Sequence, residues 1–500
     1  MTYVLGLDIG TTFIKAVVFD VDAGEVISTA KRSTPSHNPQ PAFTEHDPDE
    51  LWKRTADCIK ETSNGYRIAG LSISSFAEAG LPLDEHDKPL YPVIAWYDPR
   101  SQPQVDNLLD THSETMIYQI TGQKPGFSFG LFKMLWLFDN YPNIRSKFKS
   151  WLSVPDYILY RLTGEKYTDH TQASRTLLFD QSKRTWSPKM LEIAGIDESI
   201  LPKIVPSGTV IGATMQSIAD ITGLPPGIPC SVGGHDHLCG AFASGGFTSS
   251  LFLDSMGTSQ AVLCIMDHFS LSKNTIEQGF VNYSYVIPSL FILKGGIKAA
   301  GKAFEWFYST FGKVEEEQSK IKLISSDNDR PFWLPYFHGS GTPNRQPTDR
   351  AVLFGLNLDH TREDIYLSLI EGLSFWLKEN INAMSHITGI SPNKILVIGG
   401  ANQNRLMQKY KSSALNLPLV APSVPEASAV GAALLAAYGC GLVKSYEEAG
   451  DLIKTQPTTI KPDLELVPVL QDRFQNGFIP LRKNLGGMQS NFFKKFKIRI

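Results

Sequence analysis

Two short turns in the sequence combine a glycine with hydroxyl side chains, and one of them follows a carboxylate. The first is Gly10-Thr11-Thr12, just after Asp8, and the second is Gly257-Thr258-Ser259. Proteins bind phosphate with backbone N–H groups and hydroxyls, and glycine lets the backbone approach closely. Taken singly, each turn is typical of a plain hairpin. As a matched pair they predict that two parts of the chain hold one triphosphate, with Asp8 holding Mg²⁺ through water.

A third segment, Gly233-Gly234-His235-Asp236-His237, carries a carboxylate between two histidines. Phosphoryl transfer to an alcohol needs a carboxylate that accepts the hydroxyl proton, and the glycines would let a substrate approach. We expect Asp236 to be that base. The histidines lack the i, i+4 spacing of a helical zinc pair, which makes metal ligation the weaker interpretation. An Asp236 that only caps the helix beginning near Leu238 is the other alternative.

The segments around these residues alternate between strand and helix patterns. Apolar runs at 3–7, 14–19 and 25–30 are separated by turn signals, which predicts a β-meander. Asp47 and the Pro48 that follows it are a helix start, and a further strand is expected at 68–74. This mixture predicts an α/β domain with a mixed sheet.

The second half of the chain continues in the same style. The predicted elements are a helix at 362–387, a strand at 395–398, a helix at 404–415, a strand at 417–421 and a helix at 426–438. Gly399-Gly400 ends the first of these strands just before a helix. Strand, Gly-Gly turn and helix N-terminus together are typical of a nucleotide contact, because backbone comes close to the ligand there.

The first turn recurs almost half a chain later. Residues 7–12 read LDIGTT, and residues 253–259 read LDSMGTS. A repeat at half-length predicts two related α/β domains with a ligand cleft between them. We place the N-terminal domain at 1–245, the C-terminal domain at 246–480 and a basic tail at 481–500.

Composition excludes several classes of protein. The 500 residues are 42% hydrophobic and 19% charged with a net charge of −3, which fits a globular enzyme and gives no electrostatic case for nucleic-acid binding. The five cysteines are scattered without a CxxC pair, so neither a disulfide framework nor a zinc site is expected. Because no signal peptide or membrane-length apolar run is visible, we expect a cytoplasmic protein with no membrane partner.

In the family's own order, and over nearly the whole chain, these motifs resemble those of the FGGY carbohydrate kinases. The resemblance rests on 7–12 and 256–259 (phosphate motifs), 398–401 with Asn404 (adenosine motif), 234–236 (catalytic base), 133–136 and 351–372 (family signatures), and 96–100 (sugar pocket). Gly130 and Leu369 depart from the two signatures, in segments expected to be structural helices.

The resemblance implies two ribonuclease-H-like domains of the actin-type ATPase superfamily, which close over ATP and a sugar. It implies ATP and Mg²⁺ as cofactors, Asp236 as general base and Asp8 as metal ligand. Gly301 resembles the residue that lets the adenine ring lie close to a helix start. The expected ATP and phosphate contacts are Gly10, Thr11, Thr12, Lys15, Gly257, Thr258, Ser259, Gly301, Gly400, Ala401 and Asn404.

The sugar itself is less clearly indicated. Family members that use glycerol carry Arg-Glu after the strand at 68–74, whereas this chain has Ala77-Glu78, which disfavours glycerol. We expect Glu78 and Asp98 to accept hydrogen bonds from hydroxyls and Trp96 to pack on a sugar face. His235 and Asp236 complete the expected substrate contacts. This set suits a ketose or polyol without specifying one.

We therefore expect an ATP-dependent kinase acting on a pentulose, hexulose or related polyol, with this small molecule as its partner. A non-catalytic ATP- and sugar-binding regulator and a plain actin-like ATPase are the alternatives. The oligomeric state is not legible in the sequence, and a homodimer stays open. So do the roles of the tail and of the segment 337–343.

Overall fold

The computed structural model describes residues 1–314, 329–400, 404–486, 488–489 and 492. Two sequence predictions lie outside these residues: the nucleotide contact of Ala401, and the end of the basic tail at 493–500.

The strands are β1 (Tyr3–Ile9), β2 (Phe13–Asp20), β3 (Glu25–Ser33), β4 (Glu45–His46), β5 (Ile68–Ser75), β6 (Gly80–Leu83), β7 (Val93–Ile94), β8 (Ser150–Ser153), β9 (Tyr167–Asp169), β10 (Phe179–Asp180), β11 (Thr185–Trp186), β12 (Lys203–Val205), β13 (Val210–Ala213), β14 (Pro229–His235), β15 (Leu251–Met256), β16 (Gln260–Met266), β17 (Val281–Ser284), β18 (Phe291–Ile297), β19 (Phe332–Leu334), β20 (Val352–Phe354), β21 (Ile395–Ile398), β22 (Leu419–Ala421) and β23 (Thr458–Ile460).

The α-helices are α1 (Pro48–Ser63), α2 (Gln102–Thr111), α3 (Glu114–Thr121), α4 (Gly130–Asn140), α5 (Pro142–Lys147), α6 (Val154–Thr163), α7 (His170–Ser174), α8 (Pro188–Ala194), α9 (Ala219–Thr222), α10 (Asp236–Ala243), α11 (Lys273–Glu277), α12 (Gly301–Phe311), α13 (Arg362–Thr388), α14 (Arg405–Leu415), α15 (Ala427–Gly439), α16 (Tyr446–Asp451), α17 (Leu466–Asp472) and α18 (Ile479–Leu485). No helix in the described part of the chain is long and apolar enough to cross a bilayer.

The two large sheets repeat one strand arrangement. Their orders are β13-β14-β5-β1-β2-β3 and β23-β22-β21-β15-β16-β18-β17. In each sheet the strand that leads into a Gly-Thr turn, β1 or β15, is antiparallel to the next strand and parallel to a later one, β5 or β21. The LDIGTT echo therefore marks a structural repeat. Two α/β domains with mixed sheets, as predicted, are confirmed.

Local signals in the sequence set the helix boundaries. The Asp47 side chain accepts hydrogen bonds from the first N–H groups of α1, whose first residue is Pro48. Thr361 and Asp364 form a capping box at the start of α13, and Gly389 ends that helix with a positive φ of 73°. The long helix expected at 362–387 is confirmed.

Helices α10 and α15 follow equivalent strands of the two sheets and pack against each other between them. The contact is close because Gly431 of α15 lies against the Cys239 carbonyl, where a Cβ would overlap it. One hydrophobic core spans this interface, with Val4 from the first sheet and Leu253 from the second. The two domains thus share part of their core.

The end of the C-terminal domain lies later than we expected. Helix α18 covers residues that we assigned to the tail, and its Leu481 and Leu485 pack against the C-terminal core. Arg482 of this helix pairs with Glu379 of α13 at 2.6 Å. Folded structure therefore continues past residue 480.

We predict that Gly6→Ala destabilises the protein by about 1–3 kcal/mol, the typical range for overpacking. Gly6 lies in β1 under α15, and a Cβ there would overlap the backbone of Ala429 and Ala433. The measurement is the free energy of unfolding in denaturant. Gly126→Ala is the matched control, since a Cβ at Gly126 meets no atom within 4 Å. Equal stability of the two variants would contradict the packing argument.

Candidate active site

A cleft of about 800 Å³ lies between the two repeated hairpins. Asp8 and Lys15 line it from the N-terminal domain, and Gly257, Thr258 and Ser259 line it from the C-terminal domain. The start of α15, the end of β18 and the loop 338–347 also line the cleft. The segment 337–343, whose role was open from the sequence, is therefore part of the cleft wall.

A smaller pocket of about 350 Å³ shares the second Gly-Thr turn with this cleft. It brings together five residues that we expected to contact ATP, namely Gly257, Thr258, Gly301, Gly400 and Asn404. Phe304, Tyr308 and Met407 add apolar and aromatic walls. A pocket with apolar walls and glycine edges, next to a phosphate-type turn, suits an adenosine.

Backbone contacts between two segments shape this pocket. Gly301 N–H donates to the Gly257 carbonyl at 3.0 Å, and Ala300 N–H donates to the Thr258 carbonyl at 3.0 Å. A Cβ on Gly301 would overlap the Gly257 carbonyl. The sequence resemblance linked Gly301 to the adenine ring. In the structure, the close approach of the Gly257 backbone already requires a glycine at position 301.

Asn404 caps α14 at the edge of the pocket. Its Oδ1 accepts from Met407 N–H at 2.7 Å, and its Nδ2 donates to the Tyr366 hydroxyl at 3.1 Å. Gly400 differs from Gly301, because a Cβ on Gly400 would meet no atom within 4 Å and would enter open space.

The first Gly-Thr turn is placed differently from the second. Asp8 and Lys15 line the cleft, but Gly10, Thr11 and Thr12 are not among its lining residues. Thr11 Oγ1 instead accepts a hydrogen bond from Trp96 Nε1 at 3.1 Å. Phosphate binding by this turn stays a prediction.

Asp236 is the first residue of α10, with His235 at the N-cap position. Its Oδ1 accepts from His237 N–H at 2.6 Å and lies 3.2 Å from His235 Nε2. Burial pushes the pKa of Asp236 up, but its interactions with His237 and His235, which include the backbone hydrogen bond from His237, outweigh burial, so the pKa lies below its ordinary value. The carboxylate is therefore ionised, and it does not occupy the cap position of its helix.

His235 is buried, and burial holds its pKa well below the ordinary value, so its ring is neutral near pH 7. A neutral ring can donate from Nε2 to Asp236 and orient that carboxylate. One ligand atom from each of His235, Asp236 and His237 lies within 4.8 Å of the others. The geometry thus leaves metal ligation open as the weaker alternative.

On the sugar side, Glu78 has a positive φ of 68° and is bound by Arg175. Arg175 Nε donates to Glu78 Oε1 at 2.9 Å, and Arg175 Nη1 donates to Gln123 Oε1 at 2.7 Å. Arg175 also lines the cleft. Sequence reasoning missed it, since no motif surrounds Arg175 and its partner lies far away in the chain.

Asp98 is fully buried, and both of its carboxylate oxygens accept hydrogen bonds from the protein. Arg100 donates to Oδ1 at 3.0 Å and to Oδ2 at 2.6 Å, and Thr44 N–H donates to Oδ2 at 2.6 Å. A hydrogen bond from Asp98 to substrate stays a prediction. Trp96, in contrast, is 39% exposed.

Comparison with known proteins agrees with this arrangement. The model of the FGGY family of carbohydrate kinases matches with its N-terminal domain at residues 3–243 and its C-terminal domain at 253–440. The chain belongs to this family.

Individual members of the FGGY family resemble the chain over nearly its full length. A glycerol kinase of Saccharolobus islandicus is 29% identical over 482 residues, which are 94% of this chain and 93% of the relative. A xylulose kinase of Lactococcus lactis subsp. lactis is 29% identical over 456 residues, 89% and 90% of the two chains. The solved structure of a xylulose kinase from Rhodospirillum rubrum has a TM-score of 0.88 and 25% identity, covering 98% of this chain and 100% of that one.

This FGGY protein is an ATP-dependent carbohydrate kinase, and its acceptor is a small sugar or polyol. The alternative of a non-catalytic regulator is not supported, since the matched family is one of kinases.

Substitutions at Gly400 and Gly301, the two glycines that border the smaller pocket away from the Gly-Thr turn, should affect different properties of this FGGY kinase. Gly400→Val should raise KM for ATP without lowering the melting temperature, because the new side chain enters open pocket space. Gly301→Ala should lower the melting temperature, because its Cβ overlaps backbone. ATP-dependence of initial rates and thermal unfolding of both variants test this, and an unstable Gly400→Val with normal KM would contradict it.

Lys133 of this FGGY kinase predicts a pH-dependent stability. It is fully buried, its Nζ donates to the Ser128 carbonyl at 2.7 Å, and burial lowers its pKa to about 7 even though Glu78 and Asp98 oppose the shift. The unfolded lysine titrates near 10.4, so between pH 7 and 10 the unfolded state binds more protons and stability rises with pH.

The variant Lys133→Met has no titrating group at this position and therefore lacks this pH-dependent contribution to the free energy of unfolding. The free energy of unfolding of the wild type minus that of the variant should therefore rise by up to about 1.4 kcal/mol per pH unit between pH 7 and 10. Denaturant unfolding at several pH values measures it, with the exposed Lys53→Met as control. A pH-independent difference would show that Lys133 is not desolvated as described.

Proposed function

We propose that this FGGY kinase transfers the γ-phosphate of ATP to a terminal hydroxyl of a ketose or related polyol, with Asp236 as the general base. One observation carries the proposal. An ionised carboxylate begins α10, directly before His237, which lines the same cleft as Arg175 and the Gly257-Thr258-Ser259 turn. A carboxylate that is ionised near pH 7 can accept the proton of an attacking hydroxyl.

The roles of the other residues follow from their positions. Asp236 accepts the hydroxyl proton while the substrate oxygen attacks the γ-phosphorus in line. His235 orients the carboxylate through Nε2. The backbone N–H groups and hydroxyls of the Gly257-Thr258-Ser259 turn would bind phosphate oxygens, and the adenosine pocket would hold the rest of the nucleotide.

The residues of the cleft fit a Mg²⁺ ion. Asp8 is buried beside the cleft, and burial together with the Asp236 carboxylate raises its pKa to about 7. Oxygen ligands suit Mg²⁺, and a cation would relieve the repulsion between the two carboxylates. We propose that Asp8 would hold Mg²⁺, which when bound supplies charge neutralisation on the phosphate oxygens.

The sugar side favours a ketose or longer polyol over glycerol. The chain lacks the Arg of the glycerol users' Arg-Glu pair, since Ala77 stands there, and the guanidinium that reaches Glu78 comes from Arg175 of a different segment. The exposed Trp96 offers an apolar face for a sugar ring or chain. The similar proteins include, by name, both glycerol and xylulose kinases, so they do not decide between these acceptors.

Several predictions from the sequence accompany this proposal. They are a domain boundary near 245, a cytoplasmic location, and the lack of nucleic-acid or membrane partners, which the net charge of −3 favours. A homodimer stays open.

Asp236→Asn tests the base. With Mg-ATP and a panel of ketopentoses, ketohexoses, polyols and glycerol, we expect one acceptor to stimulate ADP release in the wild type. The Asn variant should lose about 10²- to 10⁴-fold in kcat, since it cannot accept the proton, while its Kd for ATP stays unchanged.

The control is Asp110→Asn, which removes an exposed carboxylate of α2 outside the cleft. An Asp236→Asn variant as active as the wild type would overturn the assignment of the base. ATP binding without stimulation by any acceptor would favour the regulator alternative instead.

A further inference from the structure

The C-terminal wall of the cleft carries three cationic side chains, Lys294, Lys298 and Arg345. None of these side chains has a hydrogen bond or ion pair with any residue in the described ranges. The other lysine and arginine of the cleft are already neutralised, because Lys15 pairs with Glu426 and Arg175 pairs with Glu78. The positive charge of the C-terminal wall is therefore uncompensated by protein.

The two lysines lie four residues apart at the end of β18. Side chains alternate along a strand, so Lys294 and Gly296 share one face of β18, and Lys298 directly follows Ile297, the last residue of that strand. Gly296 contributes no side chain between the lysines, which leaves room for a ligand there. The Cα atoms of the lysines are roughly 13 Å apart along the strand, and their long side chains can converge on one group.

Arg345 is brought to the same wall by the loop 338–347. Asn344 N–H donates to the Gln278 carbonyl at 2.9 Å, and Arg345 packs over Gly279. Gly279 lies two residues before Val281, which is the ladder partner of Lys294. Arg345 and Lys298 both line the cleft, and the positive charge of Arg345 adds to the lowering of the pKa of Lys298 by burial.

Lys294 lines the same cleft as His237, the sequence neighbour of the proposed base Asp236, and as Arg175. Lys298 follows Ile297, which is the ladder partner of Gln260 just after the Gly257-Thr258-Ser259 turn. Lys294 pairs with Leu263, three residues further along the same strand, so Lys298 is the lysine nearer to that turn along the ladder.

We propose that Lys294, with Arg345 and Lys298, forms an anion subsite, and that the preferred acceptor is a sugar or polyol derivative carrying a carboxylate or phosphate group. This inference rests on the proposed kinase function and narrows its substrate class. A neutral acceptor would leave Lys294 without a counter-charge in a half-buried position, whereas an anionic group would provide charge-assisted hydrogen bonds. The competing explanation is that all three cations serve only the phosphates of ATP.

Matched ligand pairs distinguish these explanations in the wild-type protein. Calorimetry with a non-hydrolysable ATP analogue present would compare D-gluconate with D-glucitol, D-arabinonate with D-arabinitol, and D-fructose 6-phosphate with D-fructose. We expect at least one anionic member to bind about tenfold or more tightly than its neutral counterpart, as a hydrogen bond to a charged group implies. The carboxylate and phosphate pairs tell the two kinds of anion apart. Neutral members that bind as well as or better than every anionic one would overturn the inference.

Charge-removing variants test the residues. Lys294→Gln should abolish most of the preference for the anionic acceptor in kcat/KM and leave KM for ATP unchanged. Arg345→Gln changes a residue on a separate loop and should also weaken the preference for the anionic acceptor. It replaces Lys294→Gln as the test if thermal unfolding shows that Lys294→Gln is unstable. Lys273→Gln is the matched control, since Lys273 is 86% exposed on α11. If each cleft variant raises KM for ATP equally with all acceptors, the cations serve the nucleotide and the inference is wrong.

Turnover separates this inference from the kinase proposal. Phosphorylation of neutral ketoses or polyols without any anion preference would overturn the anion subsite and leave the proposed function standing. Lack of turnover with both neutral and anionic acceptors would contradict the proposed function, while the calorimetric comparison would still decide whether the subsite binds an anion.

Discussion

The contact between α10 and α15 is the constraint on which the rest of the site depends. Gly431 lets α15 approach the Cys239 carbonyl of α10, and Ser428 Oγ donates to the Asp236 carbonyl at 3.0 Å. The same packing places Asp236 at the start of one helix and Glu426 at the start of the other, where it pairs with Lys15. A larger residue at the contact would move Asp236 relative to both Gly-Thr turns.

The charges of the cleft are divided between the domains. On the N-terminal side Asp8 lines the cleft with Asp236 close to it, and the cations Lys15 and Arg175 are paired with carboxylates. On the C-terminal side Lys294, Lys298 and Arg345 line the cleft without an ion pair in the described part of the chain. Charges held in a cleft of low dielectric act strongly on a ligand between them. This electric field favours a ligand whose hydroxyl lies near the carboxylates of the protein and whose anionic groups lie near its cations.

The internal repeat explains why one motif serves two purposes. Each sheet ends a strand in a Gly-Thr turn and then runs antiparallel into the next strand. The turn of the second sheet is tied to α12 and lines both pockets, while the turn of the first sheet contacts Trp96 through Thr11. The repeated hairpin thus lines two pockets in one domain, whereas in the other its turn contacts Trp96.

The sequence by itself determined the elements and their motifs, because turns, caps and apolar periodicity are local. The helix start at Asp47, the strand at Ile395–Ile398 and the Gly-Thr repeat were all legible without coordinates. Only the tertiary structure decided which side chains meet. Arg175 reaches Glu78 from 97 residues away, and Thr44 N–H donates to the buried Asp98 from 54 residues away. Such contacts depend on how distant segments pack, and no local pattern records that.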